Sequence, residues 1–261
     1  LHRTLGPNGE SRPVEGARVV VTRLGDGMSL ELSRAGLELC VVTIPVNGTG
    51  SCYWTPHRAL EFGPGDTLDL RIDLPDGGVM ESRTVVPGDF GLVGVPDGSA
   101  CQVPGGTPVE LTWTSARGSW AYVNETVIRN LTEALAPAGI TVEPEDDPLY
   151  LLGLSVSAAD TTIVFPGEFG LFDRFDLDQD IALALQDGLP PPAEADVTVA
   201  AADRNYVNWV RGGNFNPSGQ VRVPSVTGDG TGVFGSTVVR SLRVIARPPD
   251  GTYDLPRCPG S

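Results

Sequence analysis

Hydrophobic and polar residues alternate without a lapse along Thr67–Leu74. Leu68, Leu70, Ile72 and Leu74 fall on one face, and Asp69, Arg71 and Asp73 on the other. A period of two over eight residues predicts a β-strand with one buried face and one face in water. Val109–Thr114 follows the same rule, and so does Ala17–Thr22 apart from Val20. Apolar segments near 37–44, 51–55, 80–86, 119–128, 150–157, 161–165, 195–202 and 236–246 predict further strands. Only 176–186 and 203–210 read as short helices.

Turn signals punctuate these segments. An Asn-Gly or Asp-Gly pair begins at Asn8, Asp26, Asn47, Asp76, Asp97, Asp187, Asp229 and Asp250. Such pairs supply the positive-φ positions that tight hairpins require. The densest run of turn formers, Val95–Gly106, separates two strand-rich halves. The expectation is therefore an all-β chain of two tandem antiparallel β-sandwich domains, 1–96 and 97–261, with short helices in the second.

Composition narrows the function classes. Hydrophobic residues make up 40% of 261, enough for a real core, and Gly 33 with Pro 23 fits many short turns. The balance of 18 basic against 33 acidic residues gives a net charge of −15. A field of that sign repels phosphate backbones and anionic lipid, which argues against nucleic acid as a partner. No run approaches the roughly 20 apolar residues of a membrane span. The abrupt start at Leu1 reads as a processed or truncated N-terminus.

Four cysteines occur, Cys40, Cys52, Cys101 and Cys258, with no CxxC pair among them. An even, widely spaced set in a Gly/Pro-rich β chain points to disulfides and an oxidising compartment, against the alternative of four buried thiols. A hairpin centred on Pro45–Gly48 would bring Cys40 opposite Cys52. That leaves Cys101 to pair with Cys258 and tie the C-terminal tail to the interdomain region.

A family resemblance follows from particular residues. Pro13–Val19, followed by Phe62–Leu70, resembles transthyretin-like or carboxypeptidase-regulatory-like β-sandwich modules. Pro108–Trp113 and Trp120–Val123 resemble the core strands of fibronectin-III or immunoglobulin-like modules. Together with Asn205–Trp209 and Gly230–Gly235, the pair is similar to a family of bacterial envelope lipoproteins of unknown function. The resemblance implies a location in the periplasm or on the extracellular face of a bacterial membrane.

Several motifs carry candidate chemistry. Gly230, Gly232 and Gly235 match the dinucleotide-binding spacing, but a helix must follow them and Ser236–Ile245 reads as strand. Asp176, Asp178 and Asp180 have the spacing of a calcium loop's first ligands, although Ile181 stands where such a loop needs Gly. Two readings stay open: a Ca²⁺ site of another kind using Asp173, Asp176, Asp178 and Asp180, or a solvated acidic segment capping a short helix. Glu143–Pro148 is a second acidic run, expected as an exposed loop open to an Arg-rich partner or a cation. Hydrolytic chemistry has only His2 and His57 as bases and no G-x-S-x-G elbow. Asn47, Asn124 and Asn130 begin glycosylation triplets, without meaning in a bacterial chain.

Aromatic residues are the remaining signal. Tyr53, Trp54, Tyr206, Trp209, Phe215 and Phe234 fall at strand ends and in loops, where they either cover a sandwich edge or form a contact patch. Within 203–235, Tyr206, Trp209, Arg211 and Phe215 are the residue types that dominate binding hot spots. The expected function is a non-catalytic extracytoplasmic binding or scaffolding protein. It would be an accessory subunit docking on other protein subunits of a larger membrane-associated assembly, for example respiratory, photosynthetic or transport. The alternative is a module binding carbohydrate or a calcium-linked ligand. No cofactor beyond possible Ca²⁺ is expected.

Overall fold

The computed structural model describes residues 1–3, 12–40, 50–56, 62–167, 177–212, 223–252 and 254–260. The elements in chain order are β1 (His2–Arg3), β2 (Arg12–Pro13), β3 (Arg18–Arg23), β4 (Ser29–Ala35), β5 (Cys52–Trp54), β6 (Thr67–Asp73), β7 (Val79–Val85), β8 (Ser99–Pro104) and β9 (Val109–Thr112). There follow β10 (Ala121–Arg129), α1 (Leu131–Leu135), β11 (Leu149–Leu154), β12 (Thr162–Phe165), α2 (Gln179–Gln186), β13 (Glu194–Ala202), α3 (Arg204–Arg211), β14 (Thr227–Gly228) and β15 (Thr237–Arg247). Strand, at 41%, outweighs helix, at 14%, and the chain is all-β. No helix among the described residues is long and apolar enough to cross a membrane.

The chain divides into two compact units, Leu1–Val86 with Val223–Ser236, and Pro87–Arg222 with Thr237–Ser261. A single cut at 96/97 therefore does not describe them. Residues 87–96 belong to the second unit, and 223–236 return to the first.

The first unit is built on a six-stranded sheet in the order β14-β7-β6-β3-β4-β5, with β1–β2 as a separate two-stranded ribbon. Register follows the alternation in the sequence. Val19 lies opposite Ile72 and Val21 opposite Leu70, so the apolar set shares one face; Val19, Val21, Leu68, Leu70, Ile72 and Met80 are buried. The other face carries a ladder of ion pairs. Arg83 reaches Asp69 at 2.6 Å, Arg71 reaches Glu81 at 2.7 Å and Asp73 at 2.8 Å, and Arg18 reaches Glu31 at 2.9 Å. Opposite charges directly across an antiparallel pair favour this register.

The returning segment closes the β7 edge. Asp229 accepts from the Val79 N–H at 2.8 Å, and Ser82 Oγ donates to the Ser225 carbonyl at 2.7 Å. Gly228 has φ +111, and a Cβ there would lie 2.2 Å from the Val79 carbonyl, so only glycine fits. Gly230 lies against the Met80 side chain, where a Cβ would fall 2.1 Å from the sulfur. The element after the glycines that mimic a dinucleotide fingerprint is the strand β15, not the helix that such a site requires.

The second unit has a five-stranded sheet, β11-β10-β13-β15-β8, and a two-stranded ribbon, β12-β9. One sheet face supplies Tyr122, Ile128, Leu149, Leu151, Val197, Val199, Leu242 and Val244 to the main core. The ribbon supplies Val109, Leu111, Ile163 and Phe165. Trp113 and Phe90 meet the Tyr122 ring edge-on, with centroids 5.2 and 5.8 Å apart.

The structure departs from three sequence expectations. Residues 99–104, inside the supposed linker, form β8, an integral strand. Moreover, β8 pairs with β15 in parallel, so the sheet is not purely antiparallel. Cys101 and Val103 are buried on the core face, a short alternation hidden among turn formers. The strand expected at 37–44 begins instead as a 3-10 turn at Leu37–Leu39, and 41–44 lie outside the described residues.

The disulfides are Cys40–Cys52, with Cα atoms 5.8 Å apart, and Cys101–Cys258, at 4.9 Å. The Pro45–Gly48 turn invoked for the first lies outside the described residues. The second fixes the tail against the free side of β8: Gln102 N–H donates to Pro256 O, and Cys258 N–H to Gln102 O. The buried Gln102 side chain adds bonds to Asp254 and to the Leu255 N–H. Two disulfides fit an oxidising compartment.

Candidate docking surface on the second unit

Helix α3 starts where β13 ends. Asp203 caps it by accepting from the Tyr206 N–H at 2.9 Å, which satisfies one of the orphan donors of the first turn. Val207 and Val210 are buried against Ala121, Val123, Ala200 and Ala202 on the sheet face away from the main core. Tyr206 and Trp209 pack beside them with Leu152 and Leu154, each partly buried. Burial pushes the Tyr206 phenol up from its ordinary value, with Glu125 adding to the effect. Two of the aromatic residues expected to meet a partner therefore spend much of their surface on their own unit. Phe215 lies outside the described residues.

The two arginines of α3 are placed differently. The Arg204 guanidinium lies over the Trp120 ring, 5.3 Å from its centroid, in cation–π geometry. Arg211 donates to the Val156 carbonyl at 2.8 Å. Among the described residues neither is ion-paired. By contrast, Arg129 and Arg243 converge on Asp196, and Arg240 on Asp89 and Asp97. Trp120 is 48% exposed and Val156 86%. Two guanidiniums and two exposed apolar side chains thus gather where β10 begins and β11 ends. The register sets this grouping: Val123 faces Leu154 across the β10–β11 pair, so Trp120 and Val156 lie just past the same end.

The acidic candidates have structural employment. Asp178 caps α2 by accepting from the Asp180 N–H at 2.7 Å, as its capping alternative requires; Asp180 is exposed. Asp173 and Asp176 lie outside the described residues, and among those described no His, Cys, Asp or Glu group is clustered to hold a metal. The run at Glu143–Pro148 is not wholly an exposed loop. Asp146 is buried, and Asp147 accepts from the Thr132 N–H at 3.0 Å. Burial pushes the Asp147 carboxyl up, but hydrogen bonds from Thr132, Leu131 and Asn130 outweigh it and leave the group below its ordinary value. Asn124, in one of the glycosylation triplets, is fully buried. His57 lies outside the described residues.

A groove of about 580 Å³ opens on the first unit, lined by Thr22, Asp69, Leu70, Arg71, Glu81, Ser82, Arg83, Ser225 and Thr227. Its size suits a small ligand. Among the described residues no aromatic ring lines it, and its four charged groups are tied to each other as Asp69–Arg83 and Arg71–Glu81. Trp120 and Val156, flanking α3, had no signal of their own in the sequence; their role depends on the strand register and on the arginines brought over them. No protein-family model, curated protein or solved structure matches the chain.

Proposed function

We propose that this chain is a non-catalytic binding or scaffolding module of the space outside the cytoplasm, docking on a larger membrane-associated assembly through the α3 end of its second unit. The observation that carries the reading is the pairing of Arg204 and Arg211, without carboxylate partners among the described residues, with exposed Trp120 and Val156. Arginine and tryptophan are among the residues most enriched in interface hot spots, and guanidiniums without an ion pair among the described residues suit a partner that presents carboxylates. Such a patch on a chain of net charge −15 also orients the approach of a partner. The resemblance to bacterial envelope lipoproteins supports a periplasmic or outer-surface location, as do two disulfides. The carbohydrate alternative has less behind it, because no described residue of the groove offers a ring for a sugar to stack on.

The test is purification of the tagged chain from gently solubilised membranes of its source, with mass spectrometry of what co-migrates. Arg204→Glu combined with Arg211→Glu is expected to release the partner without changing the melting temperature by more than a few degrees. Wild-type chain that runs alone as a monomer, or a complex indifferent to the double reversal, overturns the assignment.

A further inference from the structure

The edges of the sheets are treated unequally. On the six-stranded sheet the edge strands are β14, of two residues, and β5, of three, too short to template another chain. On the five-stranded sheet the β8 edge is covered by the chain's own tail and held by Cys101–Cys258. The other edge, β11, has six residues and pairs only with β10 among the described residues.

The direction of its free groups follows from one hydrogen bond. Ser155 N–H donates to Tyr122 O, so residue 155 faces β10. Alternation along an antiparallel pair then turns Leu149, Leu151 and Gly153 towards β10, and turns the N–H and C=O of Tyr150, Leu152 and Leu154 outward. The open stretch is bounded. Pro148 has no N–H to offer, and the Val156 carbonyl is taken by Arg211. No charged residue occurs from Pro148 to Val156, although 20% of the chain is charged. The charges and bulges that usually blunt an edge are missing here.

We infer that β11 is a self-association edge, and that a second copy of this chain pairs with it antiparallel about a two-fold axis at Leu152. This edge adjoins the α3 patch: Leu152 and Leu154 pack with Tyr206 and Trp209, and Arg211 holds the Val156 carbonyl at its end. The register is self-consistent: outward-facing Leu152 meets its own counterpart, and outward-facing Tyr150 meets Leu154. Each outward donor then finds an outward acceptor, and every cross-strand side-chain pair on that face is apolar. Tyr150, half exposed in the single chain, gains a leucine to cover it. Two copies of net charge −15 repel at long range, so association strengthens as salt screens them.

Sedimentation equilibrium of the whole chain across a concentration and salt series tests this. The expected result is a monomer–dimer equilibrium that shifts towards dimer at high salt. Leu152→Lys, which opposes like charges at the axis, is expected to weaken association about tenfold or more. Tyr150→Lys alters a half-exposed side chain and guards against misfolding of the first variant; it is expected to weaken association in the same direction. Hydrogen exchange gives a readout independent of substitution. On dilution, the amides of Tyr150, Leu152 and Leu154 lose protection while those of Leu151 and Gly153 keep theirs. A chain that stays monomeric at every concentration and salt overturns the inference. So does a dimer that ignores both variants, or one without the alternating exchange pattern.

Discussion

The hydroxyl of Tyr53 donates to the Val14 carbonyl at 2.9 Å, linking β5 to the turn that leads into β3. The same oxygen accepts from the Ala17 N–H at 3.0 Å, so one phenol satisfies both sides of that turn. Tyr53→Phe is expected to destabilise the first unit by about 1–3 kcal/mol, because a partly buried donor and acceptor both lose their partner. Urea denaturation read by a probe in that unit measures it: the midpoint should fall with the slope unchanged.

The two disulfides should differ in weight. They close loops with sequence separations of 12 and 157 residues. Loop-closure entropy alone makes them worth about 3 and about 5 kcal/mol respectively. Removal of Cys101–Cys258 as a Ser pair is expected to cost more than removal of Cys40–Cys52, and also to release the tail from β8. Denaturation of the two paired variants checks the order, and proteolysis confined to 252–261 checks the release.

Asp196 accepts from both Arg129 and Arg243 on the sheet face away from the main core. The Arg243 hydrogen bond, against an opposing desolvation and with Arg129 adding, holds its carboxyl below the ordinary value. A folded-state pKa below the unfolded one stabilises the fold above about pH 4. That stabilisation is lost as pH falls through the folded value. Asp196→Asn should therefore lower stability near neutral pH and make the second unit less sensitive to acid. The effect will be small, since the three side chains are 34%, 46% and 52% exposed and water screens them. Guanidine melts of both proteins at neutral pH and below about pH 3 give the comparison.

Thr126 and Asn124 form a buried polar pair on the core face of β10. Thr126 Oγ1 donates to Asn124 Oδ1 at 2.8 Å, while Asn124 Nδ2 has no partner among the described residues. Thr126→Val keeps the volume and adds apolar surface, yet is expected to destabilise by about 1–3 kcal/mol by stranding the buried Asn124 oxygen as well. A second substitution, Asn124→Leu, is expected to recover part of that loss. A double-mutant cycle shows the coupling, and strictly additive effects would refute it.

Local periodicity determined much of this protein. The alternation of Leu68, Leu70 and Ile72 against Asp69, Arg71 and Asp73 fixed both the strand β6 and the face it buries, because a one-residue slip would put charges in the core. The turn dipeptides and the Asp203 cap fixed where several elements begin and end. Tertiary structure decided what depends on residues far apart in the chain. Gly228 and Gly230 matter because Met80 and the Val79 carbonyl lie against them. The strand β8 exists because β15, some 140 residues later, pairs with it in parallel. The docking surface has the same origin. Trp120 and Val156 are unremarkable apart, and only the β10–β11 register, with α3 laid across it, brings Arg204 and Arg211 to them. Periodicity reports which face of an element is apolar; which partner covers that face, and which polar groups are left without one, is settled only when non-local strands close.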